Sequence, residues 1–490
     1  MPITAVAFPP ANSRPFIFRP LRIGTAVSLF AFLTGCASFS PDGGMAPVAL
    51  YAGDVLQKEV AIIRNPDDAE RTLAAVRNLR RRVLTADAAV QIALLNNRGL
   101  QAAFYELASA EAEMVGDSLP PNPTFSISRI SGSGSVEIER QIALDVLALA
   151  TLPVRSEIAA KRFRRAQLRA MEETLRLAAE TRRAYYRAVA AAELSALLAQ
   201  AEDTAKTTAQ LAIKLGETGS LNKLDQAREQ VFFAETTADL ATARQEAASA
   251  RERVARLLGL WGSELDFRLP AVLPQLPTRP ASLSSIEIDA VSRRVDLQAA
   301  RIELEALAKS YGLTQATRFL SMLEVAGISK KTRDPEVGTI RERGIDVQLQ
   351  IPIFDFGEVR VRQAEAAYMQ AVNRLTEKAV NVRSEARDAY RTYRASYDIA
   401  SHYQREVLPL RKIISDESQL RFSAMQIDVF ALLQEARQRI AALRAAIEAK
   451  RAFWLAKAEL IVAVNGGGAG AEVTPTQTGS TAAAPAAGGH

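Results

Sequence analysis

Cys36 is the only thiol in 490 residues, and His402 and His490 are the only imidazoles. One cysteine permits no internal disulfide, so its chemistry is that of a single nucleophile able to carry a covalent group. No HExxH, paired-Cys or Glu-x-x-His spacing is present, which argues against the common His- and Cys-based metal sites. The carboxylates are interleaved with Lys and Arg along helical runs, and at that spacing the Glu residues are expected on solvated faces. His402 is expected on a helix surface. An enzyme built on a helical bundle would need convergent polar groups, and none is visible. Two turns remain as sites for specific contact rather than catalysis. They lie in residues 213–228, IKLGETGSLNKLDQAR, and 422–437, FSAMQIDVFALLQEAR.

The surroundings of Cys36 define its role. Arg14, Arg19 and Arg22 precede the apolar run 23–33, and the first 35 residues contain no acid. That run is too short to span a bilayer and suits the core of an export signal. It ends in Leu33-Thr34-Gly35-Cys36, which resembles the lipobox of bacterial lipoproteins. The resemblance implies cleavage after residue 35, a lipid on the Cys36 thiol and no other cofactor. Ala37, where Asp would imply inner-membrane retention, points to the outer membrane. Each buried acyl methylene contributes about 0.8 kcal/mol to such an anchor. Residues 36–84 contain Pro41, Gly43, Gly44, Pro47 and Pro66 and are expected to form an extended, lipidated arm with at most short helices.

The two turns must be carried by long helices. Neither 155–214 nor 221–258 contains Pro or Gly. The first stretch would make a rod of roughly 90 Å at 1.5 Å per residue. Gly216 and Gly219 supply the backbone freedom that ends one helix, and Thr218 or Ser220 can cap the next. The plan returns about two hundred residues later. Placing KLDQAR on LLQEAR sets Ile213 on Phe422, Gly216 on Met425, Gly219 on Asp428 and Leu224 on Leu433, with a second long helix over 358–420. Val429, Leu433, Ala436, Ile440, Leu443, Ile447 and Trp454 then keep the period of a left-handed coiled-coil seam. Such an internal duplication fixes the architecture before any other feature.

Each long hairpin is preceded by a helix and alternating segments. Helices are expected over 85–118 and 286–317, with Gly99-Leu-Gln-Ala-Ala-Phe matching Val295-Asp-Leu-Gln-Ala-Ala-Arg. In the first half, Phe125 and Ile127 alternate with Ser126 and Ser128. Val136 and Ile138 then alternate with Glu137 and Glu139, which predicts strands over 124–130 and 136–144 around a Ser-Gly turn. In the second half a strand is expected over 319–328, then a polar loop over 329–343. The strictest alternation follows, with Ile345, Val347, Leu349 and Ile351 against Asp346, Gln348 and Gln350. Nine or ten residues suffice for a tilted strand to cross a bilayer.

Composition agrees with packed rods. Hydrophobic residues make up 48% but aromatics only 6%, and Ala carries much of the apolar share. The net charge is +6, and beyond residue 35 it is 58 basic against 55 acidic residues, too even to argue for nucleic acid. The organisation read from these signals is a signal over 1–35, an arm over 36–84, a first repeat over 85–259, a Pro-rich linker over 260–284, a second repeat over 285–464 and a disordered tail over 465–490.

The Leu-Gln-Ala-Ala helices leading into strands, Ile351-Pro-Ile-Phe-Asp-Phe-Gly before a long helix, and the two turn motifs resemble the TolC-type outer-membrane efflux proteins across nearly all of residues 85–464. The first half departs at its strand exit, where Asp145-Val-Leu-Ala-Leu-Ala-Thr-Leu-Pro-Val-Arg replaces the Pro-x-Phe-Asp-x-Gly pattern. The resemblance implies a mainly α fold with a transmembrane β part. Duplicated helical hairpins would form a trimeric periplasmic α-barrel, and two β-hairpins per subunit would contribute to one shared β-barrel. It implies a homotrimer in the outer membrane of a Gram-negative bacterium, working with a periplasmic adaptor and an inner-membrane pump. Carried over, the adaptor contacts are Gly216, Thr218, Gly219 and Ser220, with Met425, Gln426 and Asp428 in the second repeat. Family acids that line the closed tunnel entrance fall on Ala431 and Gln434 here, and Asp225 and Asp428 are the nearest carboxylates. Independently, two hairpins cannot close a barrel, and open strand edges are not tolerated in lipid, so the strands themselves demand oligomerisation. The alternative is a structural coiled-coil envelope lipoprotein without channel activity. It accounts for the helices but not for alternating segments at equivalent places in both halves.

Overall fold

The computed structural model describes residues 38–132, 134–282, 285–334, 336 and 338–468. The expected signal with Cys36, Ser133, residues 283–284, Pro335, Val337, and the expected tail over 469–490 with His490 lie outside the described residues. The chain divides at Phe39, and every element below belongs to the unit Ser40–His490.

The arm is more structured than its prolines suggest. Helix α1 (Ala46–Tyr51) runs into a π turn (Ala52–Leu56), and α2 (Pro66–Arg80) makes about four turns. Pro66 starts α2 because its missing N–H is one that a first turn cannot use, and the Asn65 side chain accepts from the Asp68 amide at 2.8 Å. Val48, Leu56 and Val76 tie the arm into the main core.

Both helices expected before the strands are broken once, at equivalent places. In the first repeat α3 (Ala86–Asn96) and α4 (Arg98–Ser118) meet at Asn97, whose φ/ψ is −69/120. In the second, α7 (Ile286–Arg293) and α8 (Val295–Ala316) meet at Arg294, at −59/118. The Asn97 side chain caps α4 and donates to the Leu257 carbonyl at 3.0 Å, while Asn96 donates to the Leu258 and Gly259 carbonyls. These contacts satisfy carbonyls at the end of a later helix, a long-range gain that local helix propensity does not include. At the second break Arg294 binds Asp296 (2.8 Å) and Glu385 instead. Burial pushes the Asp296 carboxyl up, but the Arg294 guanidinium, with Lys378, outweighs it and holds the pKa below its usual value.

Between the helices lie β1 (Thr124–Gly132), β2 (Ser135–Asp145), β3 (Met322–Asp334) and β4 (Gly338–Gln350). They form one antiparallel sheet in the order β1-β2-β3-β4, and the β2–β3 pairing joins the two repeats. The edges β1 and β4 have no partner strand among the described residues. The expected polar loop over 329–343 is strand apart from its tip. Lys330 stands opposite Glu139 and Glu342 in register, and its Nζ lies 2.8 Å from Glu137. Cross-strand pairs of opposite charge keep the ladder going past its apolar part.

The strand exits differ, as their sequences do. After β2 the Asp145 side chain accepts from the Ala148 amide at 2.8 Å, so α5 (Val146–Glu217) starts at once rather than at 155 and takes Pro153 inside it. After β4, Gly357 closes the turn at φ +74, where a Cβ would lie 2.2 Å from the Arg318 carbonyl oxygen. Helix α5 has 72 residues, about 108 Å. It returns through α6 (Lys223–Leu258). In the second repeat α9 (Glu358–His402) continues through a π turn (Tyr403–Val407) into α10 (Leu408–Ser423) and returns through α11 (Val429–Asn465). His402 is on the surface, as expected, 3.1 Å from Glu406.

An aromatic cluster joins the repeats: Tyr186 of α5 stacks on Trp454 of α11, and Phe453 meets Tyr393 and Tyr397 of α9. The chain over 260–282 is strapped onto it. Trp454 donates to the Pro274 carbonyl at 3.1 Å, Tyr397 to the Thr278 carbonyl at 3.0 Å, and Phe267 and Leu273 are buried.

Candidate functional site

The two helical tips are built alike, and their geometry sets the register of the duplication. At the first, the Ser220 amide donates to the Leu215 carbonyl (2.9 Å) and the Gly219 amide to Gly216 (3.1 Å). At the second, Gln426 donates to Arg421 (2.8 Å) and Met425 to Phe422 (2.9 Å). Both end in a left-handed residue, Gly219 at φ +75 and Met425 at φ +61, the arrangement that satisfies the last carbonyls of a helix. The next helices are capped by Asn222, accepting from the Asp225 amide at 2.9 Å, and by Asp428, accepting from the Ala431 amide at 2.8 Å. Gly219 therefore corresponds to Met425 and Asn222 to Asp428, three residues away from the register that aligning KLDQAR with LLQEAR gives. Side-chain similarity misleads here because cap and turn positions constrain the backbone more than the helix that follows.

This corrects two roles. Thr218 and Ser220 do not cap α6. The Thr218 hydroxyl donates to the Leu215 carbonyl (3.0 Å) and lies 3.1 Å from the Ser220 hydroxyl. Gly216 belongs to the last turn of α5 and faces the Gln226 side chain. Thr218, Gly219, Ser220, Met425, Gln426 and Asp428 are exposed, and Met425 reaches 94%. The expected contact residues thus form a polar surface with one bare thioether. The two nearby acids are engaged locally: Asp428 caps α11, and Asp225 takes Asn222 (2.6 Å) and Arg228 (2.9 Å).

The tips also touch each other. Leu215 and Leu221 of the first hairpin line one small cavity with Val429, Phe430 and Leu433 of the second. Behind it Arg437 binds Glu229 at 2.8 Å and lies over the Phe232 ring at 4.1 Å. Glu229 is only 4% exposed, and Glu435, paired with Arg411 at 3.2 Å, and Glu111, accepting from the Ser40 amide at 2.7 Å, are buried too. The expectation that Glu residues sit on solvated faces fails at these three, because each gains a donor from a distant part of the chain. Helical periodicity carries no signal of a cross-hairpin partner.

At the other end of the rods, the sheet has two faces of opposite character. Residues paired across strands share a face, so the register assigns every side chain. One face holds Phe125, Ile142 and Ile345, then Leu144, Val325 and Val347, then Leu323 and Leu349. The other holds Ser126 with Gln141, Glu324 with Gln348, and Asp346 with Ala326. Along β3 the first face is the open one: Gly327 and Ser329 are exposed, Ala326 is buried and Ile328 half-buried. The sheet curls so that its apolar side chains face outward, with Ile345 79% exposed, and its polar ones inward. That is inside-out for a water-soluble sheet and right for one face in lipid. Among the described residues no helix is long and apolar enough to cross a membrane, and no group of His, Cys, Asp or Glu is placed to hold a metal ion.

Residues 289–415 match the family model of outer membrane efflux proteins. The cobalt-zinc-cadmium resistance protein CzcC of Cupriavidus metallidurans is 26% identical over 303 residues, covering 58% of this chain and 68% of that protein. The CmeC outer membrane channel of Campylobacter jejuni has the same fold, with a TM-score of 0.66 at 17% identity over 78% of this chain and 86% of that one. The open state of the MtrE outer membrane channel of Neisseria gonorrhoeae gives 0.63 at 18% identity over 77% and 88%. A duplicated pair of long helical hairpins on a four-stranded, outward-apolar sheet is the outer-membrane-factor architecture. The chain is similar to outer membrane efflux proteins in sequence over residues 289–415 and shares the fold of these channels.

Proposed function

We propose that the chain is one subunit of the outer-membrane channel of a tripartite efflux system, passively conducting cargo that an inner-membrane pump delivers through a periplasmic adaptor. The observation that carries this is the inverted sheet, with both edges unpaired among the described residues, mounted on long helices of which α5 alone runs about 108 Å. Four strands cannot close on themselves, so three copies share one barrel, and the long helices line the tunnel beneath it. The exposed tips, Thr218 to Ser220 and Met425 to Asp428, are the adaptor contacts. Cys36 carries the lipid that holds the subunit to the outer membrane. The relative's role in cobalt, zinc and cadmium resistance makes divalent transition metals the first cargo to examine. A structural coiled-coil lipoprotein would have no use for the inverted sheet.

Native mass spectrometry of protein purified from membranes tests assembly and anchoring together. The expected species is a trimer whose subunits each exceed the mass of residues 36–490 by a diacylglycerol and an acyl chain. A monomer would overturn the channel, because one subunit cannot close a barrel. Trimers with an unmodified Cys36, or cleaved elsewhere, would overturn the anchor alone.

A further inference from the structure

The outward face of the sheet does not stay apolar to its tip. Above the row of Phe125, Ile142 and Ile345, the same register brings Arg140 and Arg343 onto that face, then Arg129, Lys331 and Arg341, then Arg333. All six are exposed, and none forms an ion pair among the described residues. No acid shares these rows. The carboxylates of the same stretch, Glu137, Glu139 and Glu342, fall on the inward face, where Lys330 pairs with Glu137 at 2.8 Å. The remaining outward positions in these rows are Ile127, Ile138 and Val136 with Ser131, Ser329 and Thr339, so the cations emerge from an uncharged, partly apolar surface.

Height places this belt. From Ile351 to Arg343 the chain advances eight residues, about 27 Å along a strand. At a tilt of about 40° that is about 21 Å of height, close to the ~25 Å apolar band of membrane barrels. Phe319, Phe354 and Phe356 are exposed at the helix end of the band, as an interfacial aromatic girdle would be. The Arg140–Arg343 row therefore stands where hydrocarbon ends and headgroups begin. Guanidinium groups at that level match phosphate oxygens in charge and in bidentate geometry.

We propose that this outward basic belt binds the phosphate groups of an anionic lipid in the outer leaflet, so that the channel carries a shell of phosphate-bearing lipid. The proposal rests on the barrel reading above. It explains why charge is segregated by face in the outer half of the hairpins. A water-filled lumen alone asks for polar residues inside, not for six unpaired cations outside.

The test titrates full-length protein in detergent with bisphosphorylated lipid A, the same lipid with both phosphates removed, and inorganic phosphate, read by native mass spectrometry. The expected result is at least tenfold tighter binding of the phosphorylated lipid. The combined variant Arg140→Gln, Lys331→Gln, Arg341→Gln, Arg343→Gln should lose that preference. Lys330→Gln, on the inward face of the same hairpin, should keep it, and so should the charge-preserving Arg140→Lys, Arg341→Lys, Arg343→Lys protein, which also controls for folding. Equal binding of both lipids, an unchanged combined variant, or inorganic phosphate bound as tightly as the lipid would overturn the proposal. Failure of the barrel itself has a separate signature: wild-type protein would not insert into zwitterionic phosphatidylcholine liposomes, whereas a failed belt leaves insertion intact.

Discussion

Replacing Val347 with Arg should destabilise the assembled barrel by about 2–4 kcal/mol, the cost of a lipid-facing cation near the bilayer midplane. Val347 lies in the outward row with Leu144 and Val325 and is 51% exposed in the single chain, so half of its surface is open on that face. Leu349→Arg should behave the same way. Gln348→Arg moves the charge one residue along β4 and onto the inward face opposite Glu324, and it should be tolerated. The readout is the temperature at which detergent-extracted trimers dissociate on gels. Equal loss at 347 and 348 would mean that the two faces are not distinguished by lipid.

Gly219→Arg should abolish transport while leaving the trimer intact. A Cβ at Gly219 meets no atom within 4 Å, and Met425 shows that a side chain is accepted in the equivalent left-handed position. The backbone cost is therefore only about 1–2 kcal/mol. It falls at the far end of rods whose seams and barrel are remote, where effects act nearly independently. The added bulk instead projects into the surface proposed above to receive the adaptor. Gly219→Ala carries the same backbone cost without the bulk, and cells with it should resist cobalt, zinc and cadmium as the wild type does, if those are the cargo. Cells with Gly219→Arg should lose resistance at least tenfold. Loss of crosslinkable trimer in Gly219→Arg would assign the turn a structural role only. Full transport by stable Gly219→Arg trimers would remove the first tip from the docking surface.

The sequence carried the architecture because the architecture is periodic. Ile345 to Gln350 alternates with a period of two and proved to be a strand with one face outward. The Pro- and Gly-free stretches proved to be helices, and the two turns fell where small and polar residues cluster. What it did not carry depends on distant partners. The breaks at Asn97 and Arg294 are stabilised by the end of α6 and by Asp296 and Glu385. The charged part of the second hairpin reads as loop until Lys330 is seen among Glu137, Glu139 and Glu342. Glu229 looks like a solvated helix residue until Arg437 arrives from the other hairpin. Matching KLDQAR to LLQEAR sets the tips three residues off, because Asn222 and Asp428 do one job with different residues. The basic belt is written in the sequence too, but only the cross-strand register separates its cations from their neighbouring acids.

In the proposed channel, copies of this chain enclose a continuous water-filled path whose wall in the membrane is the inward face of the sheet. Planar-bilayer recording of purified trimers detects such a path. The expected record is discrete conductance steps of uniform size that favour cations, because Glu324 and Asp346 face the lumen, with that preference reduced or reversed in Glu324→Lys trimers. Trimers that insert without giving steps, or steps whose selectivity ignores Glu324→Lys, would contradict it.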